Sequence, residues 1–230
     1  MLHMCGRFTL KTAPDQWGQL LLPIIDSSAV TDWRARYNIA PTQSIIALVQ
    51  DAATGGFLAQ YFRWGLVPSW ATDVTIGSRM INARAETVAE KPSFRKPLAE
   101  RRCAVIADGY YEWKQVENRK QPYWIHRPDK SLFVMAGLWE TNTKATKETI
   151  RTCALITTDA SLGVSPVHDR MPVMLLGNDL RDWLDPTLPS TRIQSLLKSA
   201  PDDFLEAYPV DMRVNHARFD GPESIERISP

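Results

Sequence analysis

Cys103-Ala104-Val105-Ile106-Ala107, then Asp108-Gly109, then Tyr110-Tyr111-Glu112-Trp113-Lys114 is the stretch that decides the fold class. Two short runs rich in β-branched and aromatic residues lie either side of a turn-forming pair, which reads as strand, break, strand. Working outward, the same texture recurs. Ser44 to Gln50 and Phe57 to Trp64 form two strands joined through Thr54-Gly55-Gly56, a hairpin signal. Pro122 to His126, Leu132 to Leu138, Thr152 to Thr158 and Pro172 to Leu176 continue the series. Helical patterning is confined to the early piece, to Asn178–Leu184 and to Ser190–Lys198. In the early piece Thr12 is the expected cap, Pro14 opens the helix, and Trp17, Leu20 and Leu21 share a face. Many strands without regular alternation with helices predict an α+β fold. The expected core is a mixed, mostly antiparallel curled sheet or barrel, with helices at its periphery.

A chain of 230 residues, 44% hydrophobic, buries enough for one domain, expected to span residues 1–230. No repeat, linker or low-complexity tract divides it. Three cysteines do not build a disulfide framework, the start MLHMCGRF lacks the apolar core of a signal peptide, and no apolar run is long enough to span a membrane. The expectation is a cytoplasmic monomer with free thiols at Cys5, Cys103 and Cys153, the last two as inert core residues. Net charge is +1, too little for a protein that coats nucleic acid over its whole surface. Residues 79–102 nevertheless gather Arg79, Arg84, Lys91, Arg95, Lys96, Arg101 and Arg102. Such a local strip suits a short anionic ligand on one face; a solvated loop explains it equally well.

Four polar clusters interrupt strand-like sequence: Met4 to Phe8, Ile81 to Thr87, Ala107 to Lys114, and Val167 to Pro172. Taken singly each has a structural account. Asn82 could cap a turn, Glu112 could pair with Lys114 or Arg84, and His168 could be a hydrogen-bonded turn histidine. Together they supply a thiol, an amide, a carboxylate and an imidazole, enough for nucleophilic and acid–base catalysis. Cys5, Cys103, Cys153 and His168 lack metal-ligand spacing, so neither a metal nor a cofactor is expected.

MCGRF, YNIAPT, WGLVPSW, INARAET, ADGYYEWK and HDRMP, in that order from Met4 to Pro172, resemble the SOS-response-associated peptidase (SRAP) family. The residues beyond Pro172 carry no matching motif. The resemblance implies a protein that captures the ring-opened aldehyde of an abasic site in single-stranded DNA as a thiazolidine, formed by the α-amine and thiol of an N-terminal cysteine. An α-amine, with a reference pKa of about 7.7–8.0 against about 10.4 for lysine, is neutral several hundred-fold more often at neutral pH. By the same resemblance Cys5 would be the nucleophile, Glu112 the acid–base group, His168 a second proton-transfer group, and Asn82 a hydrogen-bonding anchor for Cys5 and the sugar. Arg7, Arg84 and Arg170 would grip phosphates, Trp70 and Trp113 would stack beside the lesion, and Asn38 and Pro41 would line the groove. Trp17, Trp139 and Trp183 are assigned to the core.

As written, the chain places Met1-Leu2-His3-Met4 before Cys5. A free Cys5 amine therefore requires a start at Met4 with the methionine trimmed, or removal of residues 1–4. The partner implied is single-stranded DNA carrying abasic sites, with nucleoid association while acting on it. Two rival readings are a cysteine peptidase built on Cys5, His168 and Glu112, acting on peptide bonds in general or only to expose Cys5, and a non-covalent single-stranded nucleic-acid binding module.

Overall fold

A computed structural model describes residues 5–18, 25–51 and 53–229. Its strands run β1 (Arg7–Leu10), β2 (Ile25–Asp26), β3 (Arg36–Ile39), β4 (Ser44–Gln50), β5 (Phe57–Trp64), β6 (Asn82–Arg84), β7 (Arg102–Ala107), β8 (Gly109–Val116), β9 (Arg119–His126), β10 (Phe133–Asn142), β11 (Ile150–Asp159), β12 (Arg170–Pro172) and β13 (Glu206–Pro209). They form two sheets. One is antiparallel throughout, in the order β13-β9-β8-β1-β3. The other runs β12-β11-β10-β7-β4-β5-β2 and curls until β11 meets β5 in parallel, with Thr152 opposite Arg63 and Cys153 opposite Trp64. That seam closes β5, β4, β7, β10 and β11 into a five-stranded barrel. The expected α+β class with a barrel-like, mostly antiparallel core is what the chain adopts.

β7 explains why the opening stretch was decisive. Every residue of Arg102–Ala107 is buried, because β7 pairs with β10 and β4 at its edges and has cover on both faces. Part of that cover is the helix Asp179–Leu184, whose Trp183 Nε1–H donates to the Cys103 carbonyl at 2.8 Å. The Arg102 guanidinium donates to the carbonyls of Leu98, Ala99, Trp183 and Asp185, tying off two short helices at their C-terminal ends. Cys103 and Cys153 are buried as expected.

Asp108 and Gly109 carry the chain from the barrel into the second sheet. The Asp108 amide donates to the Thr9 carbonyl at 2.9 Å. Its carboxylate accepts from the Lys11 amide and from the Thr12 amide (3.2 Å) and hydroxyl (2.5 Å). A Cβ on Gly109 would lie 2.4 Å from the Trp124 indole nitrogen, so only glycine fits. Beyond this corner β8 alternates. Tyr111 and Trp113 pack on a small cluster with Trp124, Tyr208, Val210 and Val214, whereas Tyr110 joins the main core with Cys5 and Phe8.

Several expectations need correction. Thr12 does not cap a helix: the 3-10 turn Pro14–Gln16 begins after Ala13 with no side-chain cap, because the Thr12 hydroxyl is spent on Asp108. Leu20 and Leu21 lie outside the described residues. The strand expected over Pro172–Leu176 is Arg170–Pro172, followed by one isolated bridge at Met174. The late helix ends at Ser195. Trp17 and Trp183 are fully buried, but Trp139 is only half-buried, packed against the core beside Phe62; Trp64 and Trp124 take the interior instead.

Candidate active site

Cys5 precedes β1, and β1 pairs with β8 with Arg7 opposite Tyr111 and Phe8 opposite Tyr110. This pairing carries the Cys5 backbone to the face of β8 that bears Glu112. The Cys5 nitrogen donates to Glu112 Oε1 at 2.5 Å across 107 positions of sequence. Cys5 holds φ +43°, a left-handed conformation costly for a residue with a Cβ. Both side chains are buried, at 0% and 2% exposure. The structural alternatives for Glu112, pairing with Lys114 or Arg84, are not what the carboxylate does.

Burial dominates the electrostatics. It pushes the Glu112 carboxyl up to about 8, against the hydrogen bonds from the Cys5 and Trp113 amides and the Lys120 charge, while Asp169 adds to the rise. Burial, reinforced by Glu112, also pushes the Cys5 thiol well up. His168 lies in the loop before β12, with Nε2 4.0 Å from Glu112 Oε2. Its Nδ1 accepts from the Arg170 amide at 3.0 Å, which leaves the ring proton on Nε2, facing Glu112. Burial lowers the His168 pKa, so the neutral ring prevails. Asp169, 3.0 Å from Nδ1, can pair with it only once the ring is protonated. Cys5, Glu112 and His168 therefore stand in one row.

The other candidate residues fall around this row in different ways. Asn82 and Arg84 lie on β6, which runs parallel to β11 with Asn82 opposite Leu155 and Arg84 opposite Thr157. Asn82 is half-buried, whereas Arg84 is exposed with no ion pair among the described residues. Arg170 faces the same stretch of β11 from β12, but its guanidinium is taken up by Glu86 (2.7 and 2.9 Å), Asp159 (2.5 Å) and the Thr157 carbonyl (2.8 Å). Arg7 donates to Asn38 Oδ1 (2.9 Å) and the Val214 and Asn215 carbonyls. Asn38 Nδ2 in turn donates to the carbonyls of Val214, His216 and Phe219. These two thus bind the C-terminal segment to β1 and β3. Asp220 completes the junction by accepting from Arg36 and the Tyr37 and Asn38 amides. Pro41 is half-buried in the β3–β4 turn. Trp113 is half-buried, its indole N–H on Asn215 Oδ1 at 2.7 Å. Trp70 is 56% exposed and borders a cavity of 350 Å³ with Thr72, Asp73, Ile76 and Arg79. No group of acidic, cysteine or histidine side chains among the described residues is arranged to hold a metal. No helix there is long and apolar enough to cross a membrane.

Sequence reasoning missed three residues around the row. Asp108 anchors the corner and Asp220 holds the C-terminal segment. Lys120 is an exposed cation whose charge lowers the pKa of both Glu112 and His168. Asp108 lies inside the ADGYYEWK motif without a chemical signal of its own, and Lys120 and Asp220 carry no local signal.

The chain belongs to the SOS response associated peptidase (SRAP) family, whose model matches residues 4–217. It is 39% identical over 231 residues to the abasic site processing protein YoqW of Bacillus subtilis, covering 97% of this chain and 99% of that one. It is 33% identical to the abasic site processing protein HMCES of Gallus gallus, over 85% of this chain and 67% of that one. A crystal structure of a Bacteroides thetaiotaomicron protein, 27% identical, superposes with a TM-score of 0.86 over 98% of this chain.

Proposed function

We propose that this protein processes abasic sites in single-stranded DNA by forming a covalent thiazolidine between Cys5 and the ring-opened sugar aldehyde. The observation that carries the reading is the Cys5 nitrogen on Glu112 at 2.5 Å. With residues 1–4 removed, that nitrogen is the α-amine of a 1,2-aminothiol. Its left-handed φ then ceases to exist as a constraint, since φ requires a preceding residue. The names of the relatives, abasic site processing proteins, support the substrate class.

The chemistry follows from burial. An α-ammonium of pKa about 7.7–8.0 faces a carboxyl that burial raises, and burial favours the neutral pair over the ion pair. Glu112 takes the ammonium proton, and the neutral amine adds to the aldehyde. Glu112 returns the proton to the carbinolamine hydroxyl, which leaves as water to give the iminium, and the Glu112 carboxylate then takes the N–H proton to leave the imine. The thiol then adds across the C=N bond, its proton passing to nitrogen, and the ring closes. The His168 Nε2–H serves as a second donor beside Glu112, and Asn82 holds the sugar. Arg84 and Lys120 supply free positive charge for phosphates, and Trp70 offers a face for stacking. Arg7, Asn38 and Arg170 build the walls rather than reach for DNA. A peptidase reading is disfavoured by the Cys5 thiol itself, since a peptidase nucleophile needs a lowered pKa and burial raises this one.

The test compares protein with Cys5 exposed against protein keeping residues 1–4, each incubated with an abasic single-stranded oligonucleotide and run on a denaturing gel. Only the exposed form should give a heat-stable adduct, and Cys5→Ser should give at most a borohydride-trappable imine. Equal heat-stable crosslinking by the extended form, its residues 1–4 confirmed by mass spectrometry, would falsify the thiazolidine assignment.

A further inference from the structure

Tyr110 is fully buried, and its hydroxyl has no hydrogen-bond partner among the described residues. A buried hydroxyl left unpaired is costly, and persists where a partner arrives only during function. Its place on β8 is informative. Two residues before Glu112, it shares that residue's face of the strand. It stands opposite Phe8, three residues after Cys5, and its ring packs edge-on against Phe133 in the cluster that also holds Cys5. After burial, the charges of Cys5 and Glu112 are what most perturb its phenol, in that order.

We propose that the Tyr110 hydroxyl is a positioning residue for ring closure, donating a hydrogen bond to the Cys5 sulfur as the thiol gives up its proton and attacks the imine. This rests on the thiazolidine reading above. The need is physical: burial and the Glu112 carboxylate both oppose negative charge on sulfur, so a neutral donor is what the site requires. In the step, the S–C bond forms, the S–H proton passes through Glu112 to nitrogen, the C=N π pair becomes the nitrogen lone pair, and the phenol keeps its own proton. Tyr110 has no part in forming the imine, which needs only the amine and Glu112.

Tyr110→Phe removes the hydroxyl and keeps the ring. Single-turnover reactions with abasic single-stranded DNA should be split into borohydride-trappable imine and heat-stable adduct across pH 6–9, alongside thermal unfolding. The expected result is unchanged imine formation, heat-stable closure slowed about tenfold or more with a pH profile displaced upward, and a melting temperature equal to or above wild type. Equal closure rates and pH profiles, or equal slowing of both steps with a lowered melting temperature, overturn the inference. If wild-type protein with Cys5 exposed gives no heat-stable adduct, the thiazolidine reading and this inference fall together; if it does and Tyr110→Phe matches it, only the inference falls.

Discussion

Glu112→Gln separates the two consequences of one buried carboxyl. In the folded protein its pKa rises from 4.5 to about 8, so the native state holds the proton more tightly than the unfolded chain does. The protonated carboxyl therefore contributes stability that is fully present below pH 4.5 and lost as pH rises through 8. At 1.36 kcal/mol for each tenfold change, the loss by pH 9 amounts to about 5 kcal/mol relative to acid, an upper figure because a neighbouring α-ammonium draws the carboxyl down. Glutamine keeps the shape and cannot ionise. Urea unfolding should accordingly show Glu112→Gln more stable than wild type at pH 9, with the advantage shrinking toward pH 5. Crosslinking should move the other way, slowing by about 100-fold or more, since general acid–base groups contribute that much. Affinity for intact single-stranded DNA should barely change. Stability curves that stay parallel from pH 5 to 9 would refute the buried-carboxyl argument. Equal single-turnover crosslinking rates would refute the proton-transfer role.

Three other perturbations probe the surroundings. Arg84→Ala should make the log–log salt dependence of binding to intact single-stranded DNA shallower by about 0.7, one phosphate contact; an unchanged slope sinks that contact. Trp70→Ala should weaken the same binding by about 1–3 kcal/mol in a fluorescence titration without altering the melting temperature, because the ring is largely exposed. A matching fall in melting temperature would mean that Trp70 is structural. Asp220→Ala strips acceptors from Arg36 and two backbone amides and should cost about 3 kcal/mol in urea unfolding; a loss below about 0.5 kcal/mol contradicts the proposed anchoring of the C-terminal segment.

The β4–β5 hairpin was legible to the residue, because uninterrupted β-rich runs flank a turn in which Gly55 adopts φ +70°. β7 was legible because a strand covered on both faces is apolar along its run, here from Cys103 to Ala107. β6 was not: three residues, Asn-Ala-Arg, owe their strand conformation to parallel pairing with β11 about seventy positions away, and local pattern cannot encode a distant partner. The helix Arg95–Glu100 was hidden by Pro97, tolerable only because it falls in the first turn, where no backbone N–H is needed. Within the site, the polar clusters around Cys5, Glu112 and His168 stood out as breaks in strand texture. What sequence could not show was competition. Glu86 and Asp159 hold the Arg170 guanidinium, and the Val214 and Asn215 carbonyls hold Arg7.

The junction of Arg7 with the carbonyls of Val214 and Asn215 spans more than two hundred positions, and that has a consequence for timing. A ribosome adding about 5–20 residues per second needs roughly 10–40 s to travel from Arg7 to Val214. For that interval β1 exists while the segment that fastens it is still to be made. β1 is therefore fastened late, when the segment around Val214 and Asn215 docks against it.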